Sequence, residues 1–315
     1  MRALVTGSNG FVGGHLTNYL LAQPSLEVIG VDVGPARNVT FPTYSVDLCD
    51  AEGVGGLVHD IRPDLVFHLA AQAAVQVAWS DRGRTVVNNL LAQMYLIEAL
   101  LAANLRPRML VVGSADEYGL VRPDELPVKE TNPLRPNSPY AVSKIGQDMM
   151  GYQYYLSHNM PIVRVRPFNH FGPGQSDLFV AASFAKQIAE IERGLREPVL
   201  SVGNMAAKRD FTDVRDIVRA YWMLARTGTP GEVYNLGSGR PLAISYLLER
   251  LLALSSVHIE VSIDAARLRP SDIPELVCDY GKAEAEVGWR PTIPLEQTLQ
   301  DLLDYWRVRT GTGGG

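Results

Sequence analysis

Short, almost wholly apolar runs alternate with longer stretches whose apolar residues recur at helical spacing. Ala3-Leu4-Val5 is the first run. A Gly-rich turn follows, then Phe11 to Gln23, with Phe11, Val12, Leu16, Tyr19 and Leu20 on one face and Pro24 as a stop. Glu27-Val28-Ile29-Gly30-Val31, Leu65-Val66-Phe67, Met109-Leu110-Val111-Val112 and Ile162-Val163-Arg164-Val165 read as further strands, with a short one before Asp47. Helical patterns span Thr85 to Ala103 and Pro139 to Leu156. Strands apolar on both faces that alternate with helices predict a parallel, doubly wound α/β sheet covered on both sides.

The texture changes after Arg166. Gly172-Pro173-Gly174 breaks the pattern, and a new helical stretch runs from Phe179 to Gly194. Strand-like pieces follow at Pro198–Val202, Val233–Leu236 and His258–Ile263, and Leu295 to Arg309 reads as an amphipathic helix. The expected division is a first domain of residues 1–166 with a return segment 212–236. A smaller α/β lobe comprises 167–211 and 237–315. Gly311 to Gly315 is Gly-rich and expected to fray.

Composition narrows the field. The 315 residues, 46% apolar and 20% charged, suit a globular protein of one large or two smaller domains. Against 29 basic residues stand 34 acidic ones, a net charge of −5, which argues against a nucleic-acid partner. Cys49 and Cys278 lie far apart, so a disulfide scaffold is excluded and a reducing cytoplasm is expected. The six histidines form no metal-spaced pair, and no metal is expected. The N-terminus is no secretory signal. The strongest membrane candidate, Leu65 to Trp79, contains His68, Gln72 and Gln76 and falls short of the roughly 20 residues a span needs.

Thr6-Gly7-Ser8-Asn9-Gly10-Phe11-Val12-Gly13 links the first strand to the first helix. Gly7 permits the tight turn, Gly10 admits a pyrophosphate to the backbone, and Gly13 allows close packing of helix on sheet. The free N–H groups of the helix end then face the phosphates. This is the dinucleotide loop of a Rossmann-type sheet, spaced Gly-x-x-Gly-x-x-Gly. Asp32 ends the second strand, where a carboxylate grips the adenosine ribose and repels a 2′-phosphate, so NAD(H) is slightly favoured over NADP(H). Arg37 nearby would suit NADP(H), and a plain turn role for Asp32 is the competing reading. Asp47-Leu48 would cover the adenine or simply turn the chain.

Tyr140 and Lys144 stand four apart after Ser138-Pro139, a helix start, and so share a face. An ammonium beside a phenol is expected to lower the phenol's pKa from about 10, so that it exchanges a proton near neutrality. Ser114, at the end of the strand Met109 to Gly113, would hydrogen-bond a substrate oxygen beside it.

Together with His68-Leu69-Ala70-Ala71, Asn88 and Arg209-Asp210-Phe211, these residues resemble the extended short-chain dehydrogenase/reductase family of nucleotide-sugar enzymes, nearly end to end. The resemblance implies Ser114, Tyr140 and Lys144 as the catalytic set. It implies cofactor contacts from Gly7, Asn9, Gly10, Phe11, Val12, Gly13, Leu69, Ala70, Ala71 and Pro167, and Asn88 as support for the active-site helix. Gly113-Ser114-Ala115-Asp116-Glu117-Tyr118-Gly119, Arg166-Pro167-Phe168-Asn169-His170-Phe171-Gly172-Pro173-Gly174-Gln175 and Arg269-Pro270-Ser271-Asp272 are similar to one branch. That branch holds the GDP-4-keto-6-deoxy-D-mannose reductases and their siblings, the GDP-mannose 4,6-dehydratases. Asn169, Val180, Lys186, Arg209, Arg269 and Asp272 would then meet the sugar nucleotide, the arginines neutralising its phosphates.

The dehydratases carry Glu two residues before the Tyr-Gly pair, usually with Thr two residues earlier; here Asp116 and Ser114 stand there. Asp is one methylene shorter, and a misplacement of ~1 Å can cost about 10²-fold. A reductase needs no such acid, and Asp116 and Glu117 would then only position sugar hydroxyls or solvate a loop. The resemblance also favours the reductase, and implies NAD(P)H-dependent reduction of the C4 ketone of GDP-4-keto-6-deoxy-D-mannose to GDP-D-rhamnose. The dehydratase is the alternative, followed by a 4-epimerase and, from another class, a redox-sensing binding module. The resemblance also implies a homodimer through a four-helix contact of Thr85–Ala103 and Pro139–Leu156.

Overall fold

The computed structural model describes residues 1–35, 40–264 and 273–311. The chain runs through β1 (Arg2–Thr6), α1 (Phe11–Leu21), β2 (Glu27–Asp32), β3 (Thr43–Ser45), α2 (Ala51–Ile61), β4 (Leu65–His68), α3 (Val75–Ser80), α4 (Arg82–Ala102), β5 (Arg108–Val112), α5 (Pro139–His158) and β6 (Ile162–Pro167). It continues with β7 (Asn169–Phe171), α6 (Val180–Glu192), β8 (Val199–Val202), β9 (Lys208–Asp213), α7 (Val214–Thr227), β10 (Val233–Leu236), β11 (Pro241–Ala243), α8 (Ile244–Leu252), β12 (Glu260–Ile263), β13 (Glu275–Leu276), α9 (Gly281–Val287) and α10 (Leu295–Gly311).

Seven parallel strands form one sheet in the order β10-β6-β5-β4-β1-β2-β3. Ala3, Leu4 and Val5 of β1 are fully buried because helices cover both faces. Leu16 and Leu20 of α1 and Ile217 and Val218 of α7 fill one side. Val54 and Val58 of α2 and Leu96, Ile97 and Leu100 of α4 fill the other. Winding reverses at β1, which pairs with both β2 and β4, so a crevice opens beyond their carboxyl ends. Beside this sheet, α6, α8 and α10 pack around Phe184, Ile188, Leu247, Leu299 and Leu303. Two small sheets, β8 with β12 and β9 with β7, β11 and β13, complete that region.

Several elements differ from the sequence expectation. The helix α2 escapes the periodicity because Gly53, Gly55 and Gly56 dilute its helix propensity. It forms because the Asp50 side chain caps Glu52 N and Val54, Leu57, Val58 and Ile61 become buried. The amphipathic helices α7 and α8 were likewise not foreseen, nor were the short strands β7, β9, β11 and β13. The Leu65–Trp79 segment divides into β4, a loop and most of α3. Among the described residues, α4 is the one helix long and apolar enough, by length and composition alone, to cross a membrane. In the fold its Leu96 and Leu100 face the sheet, while Asn89 and Gln93 hydrogen-bond α5. Arg37, Arg269, Asp272 and residues 312–315 lie outside the described residues; Gly311 ends α10.

Position 13 must be glycine for space: a Cβ there would collide with the Gly7 carbonyl oxygen, whereas at Gly14 it would meet nothing. Urea unfolding is expected to find Gly13→Ala destabilised by about 1–3 kcal/mol. Gly14→Ala should gain about 0.4–1 kcal/mol from the reduced freedom of the unfolded chain. An unchanged midpoint for Gly13→Ala would contradict the packing described.

Candidate active site

The crevice widens into a cleft of about 2110 Å³, well above the roughly 300–1,000 Å³ of a single small-ligand pocket. Its inner end is the loop from β1 to α1. Gly7 has φ +70, and a Cβ there would press to 3.1 Å from Ala70, so the loop lies directly against the turn after β4. Gly10 caps α1 without any side-chain hydrogen bond, which leaves the helix N-terminus to a ligand. A cradle of small residues before an uncapped helix end fits a dinucleotide pyrophosphate. Asn9, Phe11, Val12 and Gly13 line it, as do Asp32, Asp47 and Leu48 at the far end. Asp32 accepts hydrogen bonds from Asn9 N at 3.0 Å and Val33 N at 2.9 Å, so it braces the loop as well as bounding the cleft.

Leu69, Ala70 and Ala71 line the cleft, but His68 packs behind it, buried in the sheet. Thr6 Oγ1 accepts from Leu69 N and Ala70 N and lies 3.0 Å from His68 Nδ1. Burial, then the Lys144 charge, pushes the imidazole down to about 3, so it is neutral. The support for α5 expected from Asn88 comes instead from its neighbour. Asn89 donates to Ser143 Oγ at 2.9 Å and accepts from Gln72 N at 2.8 Å, while Asn88 lines the cleft. The signal was present in the sequence: Thr85, Asn89 and Gln93 place buried polar groups one helical turn apart on an apolar helix.

Ser138 caps α5 through Ala141 N and Pro139 follows at the first helical position, which fixes Tyr140 and Lys144 on the cleft wall. The Lys144 ammonium does not acidify the phenol as the spacing predicts. It donates to Val112 O at 2.8 Å and Gln147 Oε1 at 2.9 Å, and lies 6.0 Å from the Tyr140 ring centre. Burial, joined by the Asp116 and Glu117 carboxylates, holds the phenol above its ordinary value, while a hydrogen bond with Ser114 pulls the other way. Burial lowers Lys144 to about 8. Burial thus favours the neutral phenol over the phenolate. Gln147, which sequence reasoning missed, links the ammonium towards His68.

Ser114, Asp116, Asn169, Val180, Lys186, Arg209 and Pro167 all line the same cleft. Lys186 is held at the rim by Asp177 at 2.7 Å, and Arg209 donates to Ile273 O at 2.6 Å. Glu117 is the exception. Expected among the sugar contacts or in solvent, it is fully buried behind the cleft wall, where Arg166 Nε stands 3.0 Å from its carboxylate. Tyr221, also unforeseen, lines the cleft with a hydroxyl that has no hydrogen-bond partner among the described residues.

Comparison with known proteins shows the family and the fold. Residues 4–302 match the family described as GDP-mannose 4,6 dehydratase. The chain is 37% identical to GDP-6-deoxy-D-mannose reductase of Pseudomonas aeruginosa, with 98% of each chain covered. The structure of RMD from Pseudomonas aeruginosa complexed with NADPH superposes with a TM-score of 0.88 at 36% identity, over 98% of this chain and 99% of that one. The UDP-glucose 4-epimerase of Thermus thermophilus in complex with NAD gives 0.87 at 31%, over 98% and 99%. With its Rossmann sheet, Gly loop and Ser114–Tyr140–Lys144 cleft, the chain belongs to the GDP-mannose 4,6 dehydratase family of extended short-chain dehydrogenase/reductases.

Proposed function

We propose that this protein is an NAD(P)H-dependent reductase that converts the C4 ketone of GDP-4-keto-6-deoxy-D-mannose to the alcohol of GDP-D-rhamnose. What supports this reading is the Tyr140 phenol, kept neutral by burial beside Ser114 on the cleft wall, in a chain 37% identical to GDP-6-deoxy-D-mannose reductase over 98% of each. A ketone reduction needs a proton donor at the carbonyl oxygen, and such a phenol is one. When bound, the reduced dinucleotide supplies the hydride to C4. Tyr140 gives its proton to the C4 oxygen, Ser114 polarises the same oxygen, and Lys144 holds the nicotinamide ribose. Asp116 is too short for the acid of a dehydratase and positions sugar hydroxyls. Asn169, Val180, Lys186 and Arg209 bound the sugar-nucleotide end, with Arg269 and Asp272 as further candidates by resemblance.

In this reading residues 1–166 with 212–236 hold the dinucleotide, and 167–211 with 237–315 hold the sugar nucleotide. The two free thiols suit work in a reducing cytoplasm. The homodimer forms through α4 and α5. Val87, Val142, Met149, Tyr152 and Leu156 leave an exposed apolar stripe there, Leu156 at 62% exposure. Sedimentation is expected to give a dimer mass that falls to the monomer in Met149→Glu/Leu156→Glu; a parent monomer would end the interface.

Supplied with the keto sugar and NAD(P)H, the enzyme is expected to consume the cofactor, and with GDP-mannose and NAD(P)⁺ to form nothing. Product only in the second reaction would overturn the reading in favour of a dehydratase. Tyr140→Phe should lower kcat by about 10²–10⁴-fold, the usual worth of a positioned acid. Lys144 is charged below about pH 8 and neutral above it. The plot of kcat/KM should therefore be level below that pH and fall above it, and Lys144→Met should abolish the fall. A rate that climbs through pH 8 would contradict the assignment.

Asp32 favours NAD(H) by repelling a 2′-phosphate. Asp32→Ala should shift the ratio of kcat/KM values about tenfold towards NADPH, as expected for removing one like charge from a partly screened site. An unmoved ratio would leave Asp32 as a loop brace only.

A further inference from the structure

Beneath the Ser114 turn lies a fully buried carboxylate that the chemistry above does not use. Glu117 sits in a 3₁₀ turn, Ala115–Tyr118, that follows β5. One of its oxygens accepts the Ser114 N–H at 2.8 Å, while Ser114 Oγ accepts from Asp116 N at 3.1 Å. Its other oxygen stands 3.0 Å from Arg166 Nε. Arg166 binds Asp148 on α5 at 2.5 Å, and Asp148 also binds Arg164 at 2.6 Å. Asp148 lies one helical turn beyond Lys144 and two beyond Tyr140. Glu117 therefore fastens the Ser114 turn, through β6, to the helix that carries the phenol and the ammonium.

A second observation shows that the backbone is built around this carboxylate. Gly113 has no positive φ, so glycine is not required there for its conformation. A Cβ at that position would collide with Glu117 Oε1. Glycine thus clears the path by which the carboxylate reaches the Ser114 amide. Aspartate could not span the same distance, being one methylene shorter.

We infer that Glu117 is a positioning residue for the reduction: its carboxylate, anchored by Arg166 and Asp148, fixes the Ser114 hydroxyl against the Tyr140 phenol. The inference rests on the ketone-reductase reading for its kinetic consequence. It concerns the chemical step and not binding, because Glu117 is walled off from the cleft. Its loss should lower kcat and leave both KM for the sugar and Kd for the dinucleotide in place.

Glu117→Gln keeps an acceptor for the Ser114 amide, and Glu117→Leu removes it. For folded protein, Glu117→Leu is expected to lower kcat about 10²-fold, the usual cost of a misplacement of ~1 Å. Glu117→Gln should stay within about threefold of the parent, because the amide keeps its hydrogen bond. Should Glu117→Leu not fold, since Arg166 then loses a buried partner, Gly113→Ala displaces the same carboxylate and is expected to show the same loss of kcat. Crystal structures of the variants provide a readout independent of turnover: Ser114 displaced from Tyr140 in Leu or Ala, and held in Gln. A Leu variant that loses thermal stability but keeps the parent kcat, or in which Ser114 has not moved, would overturn the inference. So would a Gln variant as slow as Leu. A parent enzyme with no activity on the keto sugar would instead reject the reductase reading, and the Ser114 positions would still decide the role of Glu117.

Discussion

Tyr140 and Lys144 sit on the buried face of α5, and the protonation states of the site follow from that. Tyr140 and Lys144 are both buried, and burial opposes charge on either of them. The phenol stays neutral and the ammonium becomes easier to discharge. An acid and a cation so arranged suit the addition of a hydride and a proton to a carbonyl, where the oxygen needs a donor and no group must first be ionised. The Asp116 carboxylate at the cleft strengthens the effect, since it opposes a second negative charge on the phenol.

The sheet makes this burial tolerable to the fold by gathering its polar groups behind the cleft. Thr6, His68, Gln147 and Lys144 form one hydrogen-bonded series from β1 across β4 to α5. Glu117, Arg166, Asp148 and Arg164 form another, between the Ser114 turn, β6 and α5. In the second, two carboxyl groups meet two guanidinium groups; burial and then the Asp148 charge push Glu117 well up, while Arg166 pulls it down. Removing one partner would leave a charge exposed to a low dielectric, a loss commonly worth about 3–5 kcal/mol.

Much of this was legible in the sequence, and the failures have physical reasons. Apolar strand runs such as Ala3-Leu4-Val5 and the Gly loop after them depend on local spacing, and local spacing is what a sequence displays. The helix α2 was hidden because its glycines obscure a pattern that tertiary burial rescues. Asn88 and Asn89 are adjacent, and only the orientation of α4 against α5 decides which one reaches Ser143. Glu117 reads as a loop acid until the fold brings Arg166 to it from a distant strand. The influence of Lys144 on Tyr140 failed as an expectation because spacing places two side chains on one face, whereas hydrogen bonds to Val112 O and Gln147 decide where the ammonium points.

The account stands on the neutrality of one phenol, and that can be observed without substrate. Tyrosine labelled with ¹³C at the ring carbon bearing the hydroxyl reports ionisation by NMR, and Tyr140→Phe identifies the resonance. Tyr140 is expected to remain protonated at the pH, near 10, where an ordinary tyrosine is half ionised. A resonance that titrates below that pH would mean that the ammonium governs the phenol after all, and would contradict the description of the site as a buried acid.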